Sequence, residues 1–387
     1  MARTEGTSPD PERVSLIELG PPSLGADEKD AIAAVLDSGW LTMGEHVRSF
    51  EAEFAALHGV DDAICVGSAT AALQMSLQAF DVGPGDEVLV PSLTFVATAN
   101  VVVHAGATPV FVDIDDPLVP HMSLADAERR LTERTKAITL VHYAGTTCDL
   151  PAWRDFADTH GLLLFEDAAH CAGMRGHGRL TEAAAFSFYS NKNMTTAEGG
   201  MLVVRDPERS DRARALRNHG LTASTLDRSS GRAAGYDVVD FGHNFRMDEI
   251  RAAIGRVQLT KLLAWNDARR AISARYRERL ASAIPSVEVP FEGTRPTAAH
   301  IQPILLPLGT DRPKIASELR SARIQTSMHY PPIHRFDAYR RTYGERHLPT
   351  TEAFAARELT VPLHPKLTDD DVDRVVSSLA DALASAR

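Results

Sequence analysis

Seven short apolar runs, separated by segments with helical period, occupy residues 60–206 and constrain the fold more than any other feature of the sequence. Buried parallel strands joined by crossover helices have this pattern. The candidate helices between the runs include 70–80, 95–105 and 150–160. We therefore predict an α/β protein with a seven-stranded, largely parallel sheet. The predicted strands are 63–66, 87–91, 109–114, 137–143, 162–166, 184–189 and 201–205.

The segments on either side of this region predict further elements. At 387 residues the chain is long enough for two or three domains. We predict an N-terminal arm at 1–25, a large domain at 26–265 and a smaller α+β C-terminal domain at 266–387. The elements expected outside the sheet are helices at 28–36, 45–58 and 248–280, a surface loop at 217–236, strands at 286–291 and 301–308, a helix after Pro313 and a last helix near Thr368.

Composition excludes several classes of protein. Hydrophobic residues make up 44% of the chain and charged residues 24%, which is the balance of a globular protein. The net charge of -11 repels nucleic-acid phosphates and acidic membranes, so we expect neither as a partner. The start of the chain lacks the apolar stretch of a secretion signal, which predicts a cytoplasmic protein. The three cysteines show no metal-binding CxxC spacing, so we expect free thiols and no metal site.

Acidic and basic side chains follow one predicted strand directly. Residues 162–170 read Leu-Leu-Leu-Phe-Glu-Asp-Ala-Ala-His and place Glu166, Asp167 and His170 at the carboxyl end of a buried strand. Ligands of open α/β sheets bind at that edge. A carboxylate there can bind a metal, hold a ribose or pair with a protonated ring nitrogen, and it can also cap a helix.

A lysine follows another predicted strand. Lys192 lies in Phe-Ser-Phe-Tyr-Ser-Asn-Lys, among small polar residues and ahead of two glycines. A lysine amine attacks a carbonyl to form a Schiff base when burial or a cationic neighbour lowers its pKa. Considered alone, a lysine in this position is more often an exposed loop residue.

Two more segments add a possible anion site and an aromatic cover. Residues 65–73 pass from a strand through small residues into a helix, and backbone N–H groups at such a turn bind phosphate. Phe95 follows the strand at 87–91 and is placed to cover a planar ring. Each feature alone also fits an ordinary turn or a core residue. A phosphate-binding turn, a covering aromatic, a strand-end aspartate and a Schiff-base lysine together are what pyridoxal 5'-phosphate (PLP) requires.

The same motifs, in the same order, resemble the DegT/DnrJ/EryC1/StrS family of PLP-dependent sugar aminotransferases. The similarity extends from about residue 38 to residue 365. It implies the aspartate aminotransferase (PLP type I) fold and a pyridoxamine 5'-phosphate (PMP) intermediate. The motifs that carry it are Ser-Ala-Thr-Ala-Ala-Leu at 68–73, Gly-Pro-Gly-Asp-Glu-Val at 83–88, Pro-Ser-Leu-Thr-Phe-Val-Ala-Thr-Ala-Asn at 91–100, Glu-Asp-Ala-Ala-His at 166–170, the lysine segment, and Gly-His-Asn-Phe-Arg-Met at 242–247.

The resemblance also implies roles for particular residues. Lys192 would bind the cofactor and act as base and acid, Asp167 would pair with the ring nitrogen, His170 would lie near the phenolate oxygen and Phe95 would stack on the ring. The second subunit of a homodimer with shared active sites would supply Asn244. The other implied contacts are Ala69, Thr70 and Ser187 to the phosphate, and Trp40, Leu41, Thr42, Glu198, His329 and Tyr330 to the substrate.

Three functions follow from this comparison. The first is transamination of a keto sugar, linked to a nucleotide diphosphate, with an amino acid such as L-glutamate as donor, in antibiotic or polysaccharide biosynthesis. The second is transamination of a keto-cyclitol or another secondary-metabolite ketone. The third is a non-catalytic regulatory or binding homologue, which would have lost part of the cofactor set. Some relatives replace the lysine with histidine and act as dehydratases, and Lys192 favours the aminotransferases.

Overall fold

All seven predicted strands join one sheet in a computed structural model, which describes residues 15–385 apart from 224, 230, 232, 292 and 294. The strand order is β1-β9-β8-β7-β6-β2-β3, with β9 antiparallel to both of its neighbours and the other pairs parallel. The predicted largely parallel sheet is therefore confirmed. Its strands are β1 (Ile64–Val66), β2 (Glu87–Pro91), β3 (Thr108–Val112), β6 (Thr135–Val141), β7 (Leu163–Asp167), β8 (Ala183–Ser187) and β9 (Gly200–Val204). Two antiparallel pairs lie outside it: β4 (Ile114–Asp116) with β5 (Val119–Met122), and β10 (Gln302–Leu305) with β11 (Glu358–Val361).

Helices cover both faces of the sheet because alternate residues of each strand point to opposite sides. In β8, Ala183 and Ala185 face one apolar cluster, while Ala184 and Phe186 face another. Both faces are therefore buried, which explains the nearly continuous apolar runs. The helices are α1 (Ala26–Ser38), α2 (Glu45–His58), α3 (Ala69–Ala79), α4 (Ala97–His104), α5 (Leu124–Arg130), α6 (Leu150–His160), α7 (Pro207–Arg217), α8 (Thr225–Ser229), α9 (Glu249–Ala283), α10 (Arg312–Ser321), α11 (Asp337–Tyr343), α12 (Pro349–Arg357) and α13 (Asp369–Ser385).

A separate apolar cluster forms around the β10–β11 pair. It contains residues of α10, α13 and the C-terminal half of α9, and Ile17 joins it from the N-terminal segment. Helix α9 continues without a break through residue 265, where we predicted a domain boundary. The division at 25 and 265 stays a prediction, and residues 1–14 of the predicted arm lie outside the described residues.

Three predicted elements differ from the structure. The run 109–114 divides at Asp113, whose carboxylate accepts hydrogen bonds from the backbone N–H groups of Ile114 and Thr351, so that β3 ends and β4 begins. The predicted loop 217–236 contains the short helix α8. The run 286–291 forms only a single bridge from Glu288 to Leu305, because Pro290 lacks an N–H donor and Phe291 turns the backbone to a φ of 62°.

The cysteines and the helices bear on two further expectations. Cys65, Cys148 and Cys171 are buried and unpaired, as free thiols would be. Within the described part of the chain, no helix combines the length and the apolar composition that crossing a bilayer requires.

Candidate active site

The carboxyl ends of β2, β7 and β8 open into one cavity of about 410 Å³. The turn between β1 and α3 and the segment after residue 328 close its other sides. It therefore lies at the sheet edge where α/β proteins bind ligands. Its lining residues are Ser68, Ala69, Thr70, Leu73, Thr94, Phe95, Ala97, Val141, Asp167, Ala169, His170, Ser187, Tyr189, Asn191, Lys192, Glu198, Gly199, His329 and Tyr330.

The N-terminus of α3 forms one wall of the cavity. Ser68 caps the helix by accepting a hydrogen bond from the Ala71 N–H at 3.1 Å. Gly200 allows β9 to approach this turn, since a Cβ there would lie 2.6 Å from the Ala69 nitrogen. The N–H groups of a first helical turn have no partner within the helix. With the hydroxyl of Ser187 at the end of β8, they form a site suited to an anion.

Asp167, the last residue of β7, places a buried carboxylate in the cavity. Its oxygens accept hydrogen bonds from the Thr98 hydroxyl at 2.7 Å and from the Ala169 N–H at 3.2 Å. Burial raises the pKa of Asp167, and these two hydrogen bonds with the charge of Lys192 only partly oppose the rise. A cation bound beside this carboxylate would therefore stabilise its charged form.

Lys192 lies in the turn after β8, with its amine in the cavity. Burial lowers the pKa of Lys192 to about 8, although the charge of Asp167 opposes the shift. The Lys192 Nζ atom lies 3.5 Å from Nε2 of His300. A larger fraction of this amine is therefore uncharged near neutral pH than of an ordinary lysine, and the uncharged amine is the nucleophilic form.

Ring side chains also line the cavity. The Tyr330 hydroxyl lies 3.0 Å from Nε2 of His170, whose buried Nδ1 has no partner among the described residues. Burial lowers the pKa of His170 well below its usual range. Phe95 is 58% exposed, and its ring lies 6.2 Å from that of Tyr330. An exposed aromatic ring and an unpaired buried nitrogen both indicate room for a polar, planar ligand.

The structure brings ten of the fourteen predicted site residues together in this cavity. Four do not line it within one chain. Trp40 packs over Gly44, where a Cβ would lie 2.6 Å from the indole nitrogen, and Leu41 and Thr42 are exposed beside it. Asn244 is exposed and pairs with Asn218 in a bridge. The roles of all fourteen stay predictions.

Glu166 points away from the cavity into a buried cluster with His142 and His177, whose ligand atoms lie close enough to hold a metal ion. Its carboxylate accepts hydrogen bonds from both rings, from the Gly178 N–H and from the Thr181 hydroxyl. Because Nδ1 of His142 accepts the backbone N–H of Cys148, the proton of that ring lies on Nε2 and faces Glu166. A metal there would have to displace that proton. The contacts therefore favour a hydrogen-bonded cluster beneath the strand ends.

Sequence reasoning missed three residues at the site. Thr98 lies one helical turn after Phe95, and that spacing was the available signal. His300 contacts Lys192, and Asn193 contacts His300. His300 lies 108 positions away from Lys192 along the chain. No local pattern marks His300, since its neighbours are apolar or small.

Comparisons with known proteins agree with this geometry. Residues 22–380 match the family model described as the DegT/DnrJ/EryC1/StrS aminotransferase family. The spore coat polysaccharide biosynthesis protein SpsC of Bacillus subtilis is 37% identical over 379 residues, which cover 94% of this chain and 96% of SpsC.

Two proteins of known structure show the same fold. PseC of Helicobacter pylori, an aminotransferase involved in the biosynthesis of pseudoaminic acid, has a TM-score of 0.90 at 28% identity and covers 96% of this chain and 100% of PseC. Spr1654 of Streptococcus pneumoniae, solved in a PLP form and a PMP form, has TM-scores of 0.87 and 0.88 at 30% identity. The match covers 96% of this chain and 100% or 98% of the Spr1654 chains. The predicted PLP type I fold is therefore confirmed.

Proposed function

The chain belongs to the DegT/DnrJ/EryC1/StrS aminotransferase family and is a PLP-dependent aminotransferase, and we propose that it transfers the amino group of an amino acid to a keto sugar. The observation that carries the proposal is the position of Lys192 and Asp167 in one cavity with the N-terminus of α3. A homologue without catalysis is excluded by the family, whose members are PLP-dependent aminotransferases.

The residues of the cavity fit the cofactor. The bound cofactor supplies a protonated pyridine ring that accepts electrons and a carbon that exchanges an amino group. Within the described part of the chain, the Nδ1 of His170 has no hydrogen-bond partner and the Asp167 carboxylate has no hydrogen-bonded cation, so both are suitable partners for a polar ring. Phe95 would cover the ring. Ala69, Thr70 and Ser187 would hold the phosphate at the helix N-terminus.

Lys192 would move the proton in both halves of the reaction. Its Nζ atom would take a proton from the α carbon of the amino donor and later deliver one to the keto carbon of the acceptor. A pKa near 8 suits this role, because the amine can then both accept and release a proton near neutral pH. Among the described residues that line the cavity, Lys192 is the one amine.

The substrate would be a keto sugar linked to a nucleotide diphosphate, with L-glutamate as the amino donor. His329, Tyr330 and Glu198 give the cavity mouth polar groups that can bind hydroxyl groups. The test is a panel of nucleotide-linked and free keto sugars, with glutamate and glutamine as donors and amine formation measured by mass spectrometry. Turnover of a keto-cyclitol, with none of any keto sugar, would contradict the proposal.

We also propose that two subunits share each active site, with Asn244 reaching the phosphate site of its partner. Asn244 is exposed and outside the cavity of its own chain. A two-fold dimer places one patch against its own copy, which makes such an exchange possible.

Subunit complementation tests the shared site. A Lys192→Ala subunit and an Asn244→Asp subunit, each inactive alone, are mixed. Each mixed dimer then has one site with both native residues, so activity should return to about a quarter of wild type. If mixed dimers form and no activity returns, Asn244 serves its own subunit. An active Asn244→Asp protein would mean that Asn244 has no part in the site.

A further inference from the structure

His300 lies beside the amine of Lys192 and is not among the residues assigned to the cofactor or the substrate. Its Nε2 atom is 3.5 Å from Lys192 Nζ, and its Nδ1 atom is 2.9 Å from the side-chain oxygen of Asn193. The ring is 4% exposed, and the His170 ring lies 4.3 Å from it. The imidazole therefore joins the lysine to a buried amide.

The orientation of that amide is fixed by its other neighbours. The Asn193 Nδ2 atom donates to the Ala298 carbonyl at 2.8 Å and to the Asn266 side-chain oxygen at 2.7 Å. Asn266 cannot be reversed, because its own Nδ2 donates to the carbonyl of Ala172 at 2.8 Å. The two groups beside the Asn193 Nδ2 atom are therefore both acceptors, and this position must hold the amide nitrogen. The amide oxygen of Asn193 is then the atom that faces His300.

An oxygen at that position requires a proton on Nδ1 of His300, so the neutral ring presents a bare Nε2 to Lys192. We propose that His300 is a positioning residue for Lys192: its Nε2 accepts a hydrogen bond from Lys192 Nζ and keeps the amine aimed into the cavity while the amine carries a proton. The proposal rests on the proton-transfer role of Lys192 in the proposed function.

The surroundings keep this ring neutral. Burial lowers the pKa of His300 well below its usual range, and the nearby charges of Lys192 and Arg269 lower it further. His170 and His329, the other titratable rings that face it, also disfavour an added proton. Asp167, followed by the thiol of Cys171, is the acidic group whose charge raises the pKa of Lys192 itself. A neutral acceptor stabilises the ammonium form of Lys192 without adding a charge to the cavity.

The test measures the basicity of Lys192 directly. The protein is loaded with PMP, which leaves the Lys192 amine uncombined, and is labelled with trace acetic anhydride over a pH series. Peptide mass spectrometry then gives the labelling midpoint of Lys192, which is the pH at which half of the amine is in its reactive, uncharged form. The variants are His300→Phe, which keeps a ring but no acceptor, and His300→Gln, which keeps an acceptor. His300→Leu, an aliphatic side chain that offers no acceptor, takes the place of His300→Phe if that variant does not fold.

The expected midpoint falls in the acceptor-free variant, His300→Phe or His300→Leu, because the ammonium has lost an acceptor, and stays near wild type in His300→Gln. In the acceptor-free variants kcat should fall by about 10- to 100-fold with little change in KM. His58→Gln is the matched control, because His58 is a buried histidine whose ring nitrogens contact the Phe54 carbonyl and the Gly173 N–H.

An unchanged midpoint in whichever acceptor-free variant folds would overturn the proposal, as would an equal displacement in His58→Gln. Labelling needs neither substrate nor turnover, so it still decides the role of His300 if no keto sugar is accepted. Failure of the proposed function would be seen elsewhere, in the substrate panel.

Discussion

Replacing Asp167 with asparagine tests the electrostatic role of this residue without disturbing its packing. The amide oxygen must face the Ala169 N–H, because a backbone donor cannot become an acceptor. The amide nitrogen then faces Thr98, whose hydroxyl can rotate to accept it and donate to the Phe95 carbonyl, 3.2 Å away. The asparagine therefore keeps the hydrogen bond from Ala169 and reverses the one with Thr98, so no polar group loses its partner. The fold should be preserved.

What the substitution removes is one buried negative charge. Two opposite charges about 4 Å apart, at an effective dielectric constant near 20, attract each other by about 4 kcal/mol. If that attraction keeps the cofactor ring protonated, its loss raises the barrier by a similar amount. The rate of amino-group transfer should then fall by roughly a thousandfold.

The assay follows the absorbance of the bound cofactor after mixing with glutamate, and thermal unfolding verifies the fold. Asp113→Asn is the matched control, because Asp113 is also a buried carboxylate but binds Thr351 outside the cavity. It should lower stability and leave the cofactor spectrum unchanged. Transfer by Asp167→Asn within about tenfold of wild type, or ~1.4 kcal/mol, would refute the pairing with the ring nitrogen.

Three further predictions concern other parts of the molecule. Borohydride should fix the cofactor to Lys192, and a label on another lysine in the peptide map would contradict the assignment. Gly200→Ala should weaken PLP binding at least tenfold, because its Cβ would displace the Ala69 nitrogen, whereas Gly235→Ala, which meets open space, should leave the affinity unchanged when both are titrated by absorbance. Burial raises the pKa of Glu358 to about 8, so its contribution to stability is complete below its unfolded pKa of about 4.5 and is lost as the pH rises through 8. The thermal midpoint should therefore fall less between pH 5 and pH 9 in Glu358→Gln than in wild type, and equal slopes in the two proteins would count against a raised pKa.

The sequence by itself determined the sheet and much of the cavity. Strands buried on both faces must be apolar along their length, so their order and spacing are visible in the chain. Asp167 and Lys192 directly follow such strands, and strand ends of one parallel sheet meet at one edge. The predicted passage from strand to helix at 65–73 is present, and there Ser68 caps α3. The family was implied by the resemblance of the motifs, and the family and its cofactor are confirmed.

Only the tertiary structure decided which side chains contact one another across long separations. Glu166 and Asp167 are neighbours in β7, yet the pleat sends one into a hydrogen-bonded cluster and the other into the cavity. Trp40 packs over Gly44, a contact that no local pattern indicates, and its role toward the substrate stays a prediction. His300 reaches Lys192 only because the segment at 298–300 pairs with the turn after β6. Hydrogen bonds between distant residues depend on how whole elements pack, and no periodicity in the sequence records that packing.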